Sequence, residues 1–210
     1  FLQYIIRYCT NGYLYLYFMN QNRQRCSWCL GDPLYIKYHD LEWGNPVYED
    51  QKLFEFLILE TFQAGISWIT ILRKRDNFRE AFDNFDYLKV ASYNTEKLEL
   101  IMQNKDIIRN RLKIYAAMNN AQAFLEVIRQ EKSFSNYIWQ FVEGKPIQNQ
   151  YRSMEDVPAY TPLAEKISKD LKQRGFKFVG PTVIYSHMQA TGMVNDHVMS
   201  CFRYKEIQQS

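Results

Sequence analysis

Along most of this chain, apolar residues recur three and four positions apart and seldom alternate with polar ones. The clearest stripe is Ile114, Ala117, Met118, Ala121, Phe124, Leu125 and Ile128, a spacing that predicts an amphipathic helix. Asp50 is placed to cap a helix ending near Gly65, and Ser67 to cap the next, which would carry Trp68, Ile71 and Leu72 on one face. Thr161 before Pro162 reads as an N-cap and first helical position, with Gly175 as the stop, and Pro181 and Gly192 bracket a further helix. Repeats, low-complexity tracts and long linkers are not seen, so the pattern predicts an all-α domain of six or more short helices.

One predicted helix breaks the amphipathic rule. The segment after Asp50 is apolar almost all round, through Leu53, Phe54, Phe56, Leu57, Ile58, Leu59 and Phe62, and Glu60 sits inside it. A carboxylate there costs several kcal/mol unless something compensates it. Either a buried Arg or Lys pairs with it, or the charge is kept for a ligand.

Composition narrows the class. A length of 210 residues suits one compact unit, and 47% hydrophobic with 16% aromatic residues favours a globular chain with an aromatic-rich core. A net charge of +3 permits a polyanionic partner without indicating one. Four cysteines in a chain of this length, without dense even spacing, argue against a secreted disulfide framework and for a reducing cytoplasm. The start, "FLQYIIRYCTNGYLYLYF", is interrupted by Gln3, Arg7, Thr10, Asn11 and Gly12, so it reads neither as a membrane span nor as a signal peptide. With Phe1 in place of Met and Met19 opening a polar run, residues 1–18 are expected to be an extension or a start-site artefact, and residues 19–210 a single domain.

Metal-ligating residue types cluster toward the two ends. In "NDHVMSCF", His197 and Cys201 are four apart behind the capping candidates Asn195 and Asp196, which would set both on one helical face. Cys26, and then His39 in "YIKYHD", would complete the two Cys and two His that zinc favours in a closed, structural site. Cys26 and Cys29 also form a Cys-x2-Cys pair that could supply both thiolates and exclude His39.

The stretches "RCSW", "DPLYIKYHDLEWG", "ETFQAGISWITIL", "RGFKFVGPT" and "VNDHVMSC", in this order, make the chain resemble the bacterial 3-methyladenine DNA glycosylase I family from about Arg25 to Tyr204. That resemblance implies an all-helical helix-hairpin-helix glycosylase-like domain with one structural zinc tying the two ends together. It implies Cys26, His39, His197 and Cys201 as the ligands, with Cys29 left out. Two departures stand out. The hairpin region, "LIMQNKDIIRNRLKI", has Asn104, Lys105 and Asp106 where hairpins of that superfamily usually carry glycine, and the superfamily's usual catalytic aspartate has no evident counterpart.

An enzyme of this kind works by extruding a nucleotide from the duplex into a pocket that stacks on the base and hydrogen-bonds its edge. Trp28, Tyr35, Tyr38 and Trp68 fall on the pocket motifs, where electron-rich rings favour a cationic alkylated adenine. Glu60 would accept from the exocyclic amino group and favour the positive charge, with Tyr38 as the second catalytic group and water as the nucleophile. No lyase activity is expected, because none of these positions is a lysine. Arg109, Arg111 and Lys113, with Arg174 and Lys177, would contact phosphates of double-stranded DNA, and Gly65 with Ile66 would fill the gap left by the flipped base. The resulting expectation is a monomeric, cytoplasmic bacterial glycosylase releasing 3-methyladenine, with no membrane partner. A zinc-stapled nucleic-acid-binding module without catalysis is the rival, and a glycosylase for another lesion such as 7-methylguanine is a third reading.

Overall fold

The stripe from Ile114 to Ile128 folds into the longest described helix, α6 (Arg111–Glu131), with Ile114, Ala117, Ala121 and Phe124 fully buried. The computed structural model describes residues 23–209, so the extension expected over residues 1–18 lies outside the described residues. Before α6 come α1 (Pro33–Leu41), α2 (Asp50–Gln63), α3 (Trp68–Ala81), α4 (Tyr87–Ala91) and α5 (Thr95–Gln103). After it come α7 (Phe134–Trp139), α8 (Pro162–Gln173), α9 (Pro181–Ala190) and α10 (Phe202–Gln208). Among the described residues the only strands are β1 (Ile147–Gln148) and β2 (Val194–Asn195), a parallel pair with Ile147 opposite Val194. None of the described helices is long and apolar enough to cross a membrane.

Caps explain several boundaries and correct others. Thr161 accepts from the Ala164 N–H with Pro162 at the first position of α8, as the sequence predicts. Gly175 follows that helix with φ +92°, a backbone angle that L side chains rarely adopt. Asp50 does not cap its own helix: its carboxylate accepts from the N–H groups of Phe134 and Ser135, at 3.1 and 2.7 Å, and so caps α7 from 84 residues away. Ser67 precedes α3 but makes no capping bond, its hydroxyl meeting that of Thr70 at 2.8 Å. The helix expected behind Asn195 and Asp196 is also absent. Asn195 ends β2, residues 197–201 form a turn, and Cys201 is the residue before α10.

Helix α2 is apolar all round because it stands between two hydrophobic clusters. The larger one takes Leu53, Phe54, Leu57, Ile58, Leu59 and Phe62 against α6 and α9. A smaller one takes Phe56 together with Cys26, Tyr38, Trp43, Leu72, Val198 and Cys201. Glu60 lies one turn after Phe56 on the same face of α2, and that face is turned toward the smaller cluster. His187 of α9 is buried, its Nε2 3.1 Å from the Leu53 carbonyl, and burial lowers its pKa to about 4, so it joins α9 to α2 as a neutral ring.

Residues 104–110 join α5 to α6 without a left-handed residue. Asn104 closes α5 with φ −67°, and its side-chain oxygen accepts from the Asp106 N–H at 2.9 Å, a local bond that turns the chain in place of glycine.

Candidate active site and metal centre

Cys26, at the entry to a short turn before α1, and His39, in the last turn of α1, face His197 and Cys201 across the meeting point of the two chain ends. All four are buried, and their ligand atoms lie within 4.8 Å of one another. Cys201 Sγ is 3.5 Å from His39 Nε2 and 3.6 Å from His197 Nδ1, and Cys26 Sγ is 3.7 Å from His197 Nδ1. With zinc–sulfur bonds of about 2.3 Å and zinc–nitrogen bonds of about 2.05 Å, neighbouring tetrahedral ligand atoms are about 3.6 Å apart. Three of the pairs already stand at that spacing, and the donor set of two thiols and two imidazoles suits a tetrahedral metal ion.

The surrounding groups orient these ligands. His39 Nδ1 meets Asp40 Oδ1 at 2.8 Å, and Arg25 grips the same carboxylate from Nε and Nη2 at 2.9 and 2.8 Å. His197 Nε2 lies 3.1 Å from the Trp43 carbonyl, which leaves Nδ1 as its ligating atom. The pair of thiols is strongly split: Cys201 is pulled down by hydrogen bonding from Cys26 and then from the two imidazoles, while Cys26 is pushed up by the same partner and by burial. Gly44, with φ +81°, has no room for a side chain, since a Cβ there would stand 2.9 Å from His197 Nε2. Cys29 is buried too, but its thiol donates to the Cys26 carbonyl at 3.2 Å and is not part of the cluster.

Beside the metal centre opens a cavity of about 310 Å³, a size suited to a small ligand. Trp28, Tyr35, Tyr38, Trp43 and Trp68 form its aromatic wall, Glu60 and Gln63 come from α2, and Tyr185, Ser186 and Gln189 come from α9. Met154, Val157, Pro158 and Ala159, from a segment without regular helix or strand beyond one short turn, complete it. These five aromatics pack edge-on or tilted, with Trp28 centred 4.8 Å from Tyr35 and 5.0 Å from Trp43, and Tyr38 5.6 Å from Trp68. Trp43 also contacts the His197 ring at 4.6 Å, so the pocket wall packs directly against the cluster.

Glu60 is 4% exposed and, among the described residues, its carboxylate has no hydrogen-bond or ion-pair partner. Desolvation alone raises its pKa to about 8. A buried Arg or Lys partner, one of the two sequence readings, is not found among the described residues. Tyr38 is buried and its phenol is held well above its ordinary pKa, first by desolvation and then by Glu60, so it keeps its proton. The indole N–H of Trp68 is buried without an acceptor. Pocket polar groups thus remain unsatisfied within the protein.

The residues expected at DNA separate into different places. Gly65, exposed with φ +90°, and Ile66 form the turn between α2 and α3, held by a bond from Gln63 Nε2 to the Ile66 carbonyl at 3.0 Å. Ile66 is partly buried against the main core. Arg109 is exposed, and Arg111 is exposed but bonded to Glu99 at 2.6 Å. Lys113 must be corrected as a phosphate contact. It is 8% exposed, and its ammonium donates to the carbonyls of Phe62 and Ala64 at 3.1 and 2.8 Å, closing the end of α2. Arg174 stands at the far end of α6, bonded to Asp170 and Gln130, while Lys177 is exposed with its backbone pinned by Asn120. Sequence reasoning missed Trp43, Gly44, Gln63, Tyr185 and Gln189; only the invariant demand of a positive φ at Gly44 left a local mark, and "EWGNP" hinted at it.

Fold and site together define a mostly helical protein with a buried Cys2His2 cluster that could hold a metal ion, beside an aromatic pocket that contains a carboxylate unpaired among the described residues. A sequence model of the methyladenine glycosylase family matches residues 28–204, and the chain belongs to that family, whose members are hydrolases acting on N-glycosyl bonds. It is 48% identical to DNA-3-methyladenine glycosylase 1 of Escherichia coli (strain K12) over 181 residues, which cover 86% of this chain and 97% of that protein. A crystal structure of 3-methyladenine DNA glycosylase I superposes with a TM-score of 0.83 at 49% identity, covering 85% of this chain and 98% of the other. A single-residue variant of a 3-methyladenine DNA glycosylase I, crystallised in complex with 3-methyladenine, superposes with a TM-score of 0.82 at 38% identity, covering 85% and 96%.

Proposed function

We propose that this protein is a monofunctional glycosylase that hydrolyses the N-glycosidic bond of 3-methyladenine in alkylated double-stranded DNA. The observation that carries this reading is Glu60, a buried carboxylate in an aromatic pocket with no partner of its own. The nucleotide is flipped out of the duplex and its base enters between the rings of Trp28, Tyr35, Tyr38 and Trp68. Methylation at N3 makes the base cationic and weakens its bond to the sugar, so the protein has mainly to hold the departing base better than the attached one. Glu60 accepts from the amino edge and, once ionised, favours positive charge; Tyr38 supplies a neutral hydroxyl donor beside it. Water attacks the sugar.

Zinc is the metal that best suits two thiolates and two imidazoles in a closed tetrahedron, and bound there it holds the two ends of the chain together. Helices α5 and α6 with their connection are read as the helix-hairpin-helix element. Arg109, Arg111 and Lys177 are read as phosphate contacts, with residues 65–66 filling the gap in the stack. The protein is taken to act as a cytoplasmic monomer, and its working domain to begin by residue 19. A chain shortened to start at Met19 then matches the full chain in melting temperature and base release.

Chromatography of the bases set free from methylated duplex DNA tests the whole reading. Release of 3-methyladenine in preference to 7-methylguanine is expected. Tight DNA binding with no free base would favour the non-catalytic rival.

A further inference from the structure

Three side chains converge on a carboxylate just behind the pocket wall. Asp196 is 1% exposed and accepts from Asn149 Nδ2 at 2.6 Å, Tyr185 Oη at 2.5 Å and Gln189 Nε2 at 2.7 Å. A carboxylate only accepts, so each neighbour must turn a donor toward it. Tyr185 gives its proton, and Tyr151 Oη, 3.4 Å away, is then left to donate to Tyr185. Gln189 gives its amide N–H. Gln189 lines the cavity, and with its N–H engaged the polar atom it has left is the amide oxygen, to which nothing donates among the described residues.

We infer that Asp196 fixes the polarity of the α9 wall: by holding the amide N–H of Gln189, it makes that wall a hydrogen-bond acceptor that selects 6-amino purines over 6-oxo purines. This rests on the reading that a purine base occupies the pocket. Glu60 cannot make the distinction alone, because a carboxyl with a pKa of about 8 carries a proton at neutral pH and can donate to an oxo group as readily as accept from an amino group. Gln189 lacks that freedom. Turning its amide over would set its oxygen against a carboxylate oxygen 2.7 Å away. An oxo group facing the fixed amide oxygen leaves two acceptors unsatisfied, which corresponds to about tenfold to a hundredfold weaker binding.

The test is binding of two free bases, 3-methyladenine and 3-methylhypoxanthine, which carry an amino or an oxo group at position 6, the oxo base also bearing a ring N–H. Quenching of the pocket tryptophans reports binding to the full chain. The unaltered protein is expected to prefer the amino base by about tenfold or more. Gln189→Met keeps the side-chain length, leaves Asp196 its donors from Asn149 and Tyr185, and should bring the two affinities within about threefold of each other. Asp196→Asn lets the amide of Gln189 reverse and should move the preference toward the oxo base. A Gln189→Met protein with unchanged melting temperature and unchanged preference overturns the inference. If the unaltered protein binds neither base, the reading of the pocket fails and the inference with it; if it binds both equally, the pocket reading stands and only the polarity lock is lost.

Discussion

Replacing Glu60 with glutamine should make the protein more stable in alkali while crippling base release. The folded pKa of about 8 lies above the ordinary value of 4.5, so between these pH values the native state holds a proton that the unfolded chain has given up. Stability therefore falls as pH rises through that window. At 1.36 kcal/mol for each pH unit, the gap from 4.5 to about 8 sets a ceiling of about 5 kcal/mol. Water entry and local relaxation in the open pocket bring the expected loss to roughly 1–3 kcal/mol. Glutamine does not titrate. Urea unfolding at pH 5 should find the two proteins similar, and at pH 9 the Glu60→Gln variant should lead by that amount. Excision of 3-methyladenine should fall by tens to hundreds of fold, about 1.5–3 kcal/mol for a charge-assisted hydrogen bond. In the unaltered enzyme, kcat/KM for the cationic nucleotide should climb with pH toward about 8, and in the variant it should stay flat. A variant that unfolds more easily at every pH would show that Glu60 has a structural partner after all, and a stable variant with undiminished excision would refute its role in recognition.

The metal centre, the basic residues and Gly44 give three further expectations. Elemental analysis should find about one zinc per chain, lost in His39→Ala and retained in Cys29→Ser, and chelation should lower the melting temperature because binding is coupled to folding. Arg109→Ala and Arg111→Ala should each reduce the salt dependence of DNA binding by about one counterion. Lys113→Met should leave that slope alone and instead lower stability by about 1–3 kcal/mol, as the Phe62 and Ala64 carbonyls lose their donor. Gly44→Ala should loosen metal retention and lower stability by roughly 1–3 kcal/mol, measured by titration with a competing chelator and by melting, because the new Cβ meets His197 at a backbone angle L residues avoid.

Helices with a one-sided apolar stripe or a local cap could be read directly from the chain, as α6 and α8 show. Glu60 could be found because a charge in an apolar run is a conflict visible without coordinates. Where a cap comes from far away the sequence misleads: Asp50 looks like the start of its own helix, yet it serves the N–H groups of α7. Spacing of four also does not distinguish a helix from a turn, so His197 and Cys201 were expected on the wrong element although they do meet. Lys113 resembles any basic residue near a helix start, and only the fold reveals the two carbonyls beneath it. Gln189, Tyr185 and residues 154–159 reach the pocket from separate elements, and no local period announces a wall assembled that way.

The four residues of the Cys2His2 cluster lie at positions 26, 39, 197 and 201, so the cluster spans almost the whole described chain. During synthesis the first two emerge early, and the cluster stays incomplete until the last pair leaves the ribosome. The segment just before Trp28 is held to the late part of the chain by the Phe202 N–H, which donates to the Gln24 carbonyl at 2.9 Å. A chain cut short before Cys201 keeps every residue of the main core around α2 and α6 but lacks one member of the cluster and all of α10. The placement makes closure of the cluster a long-range event, joining residues near the start of the described chain to a pair more than 150 positions later.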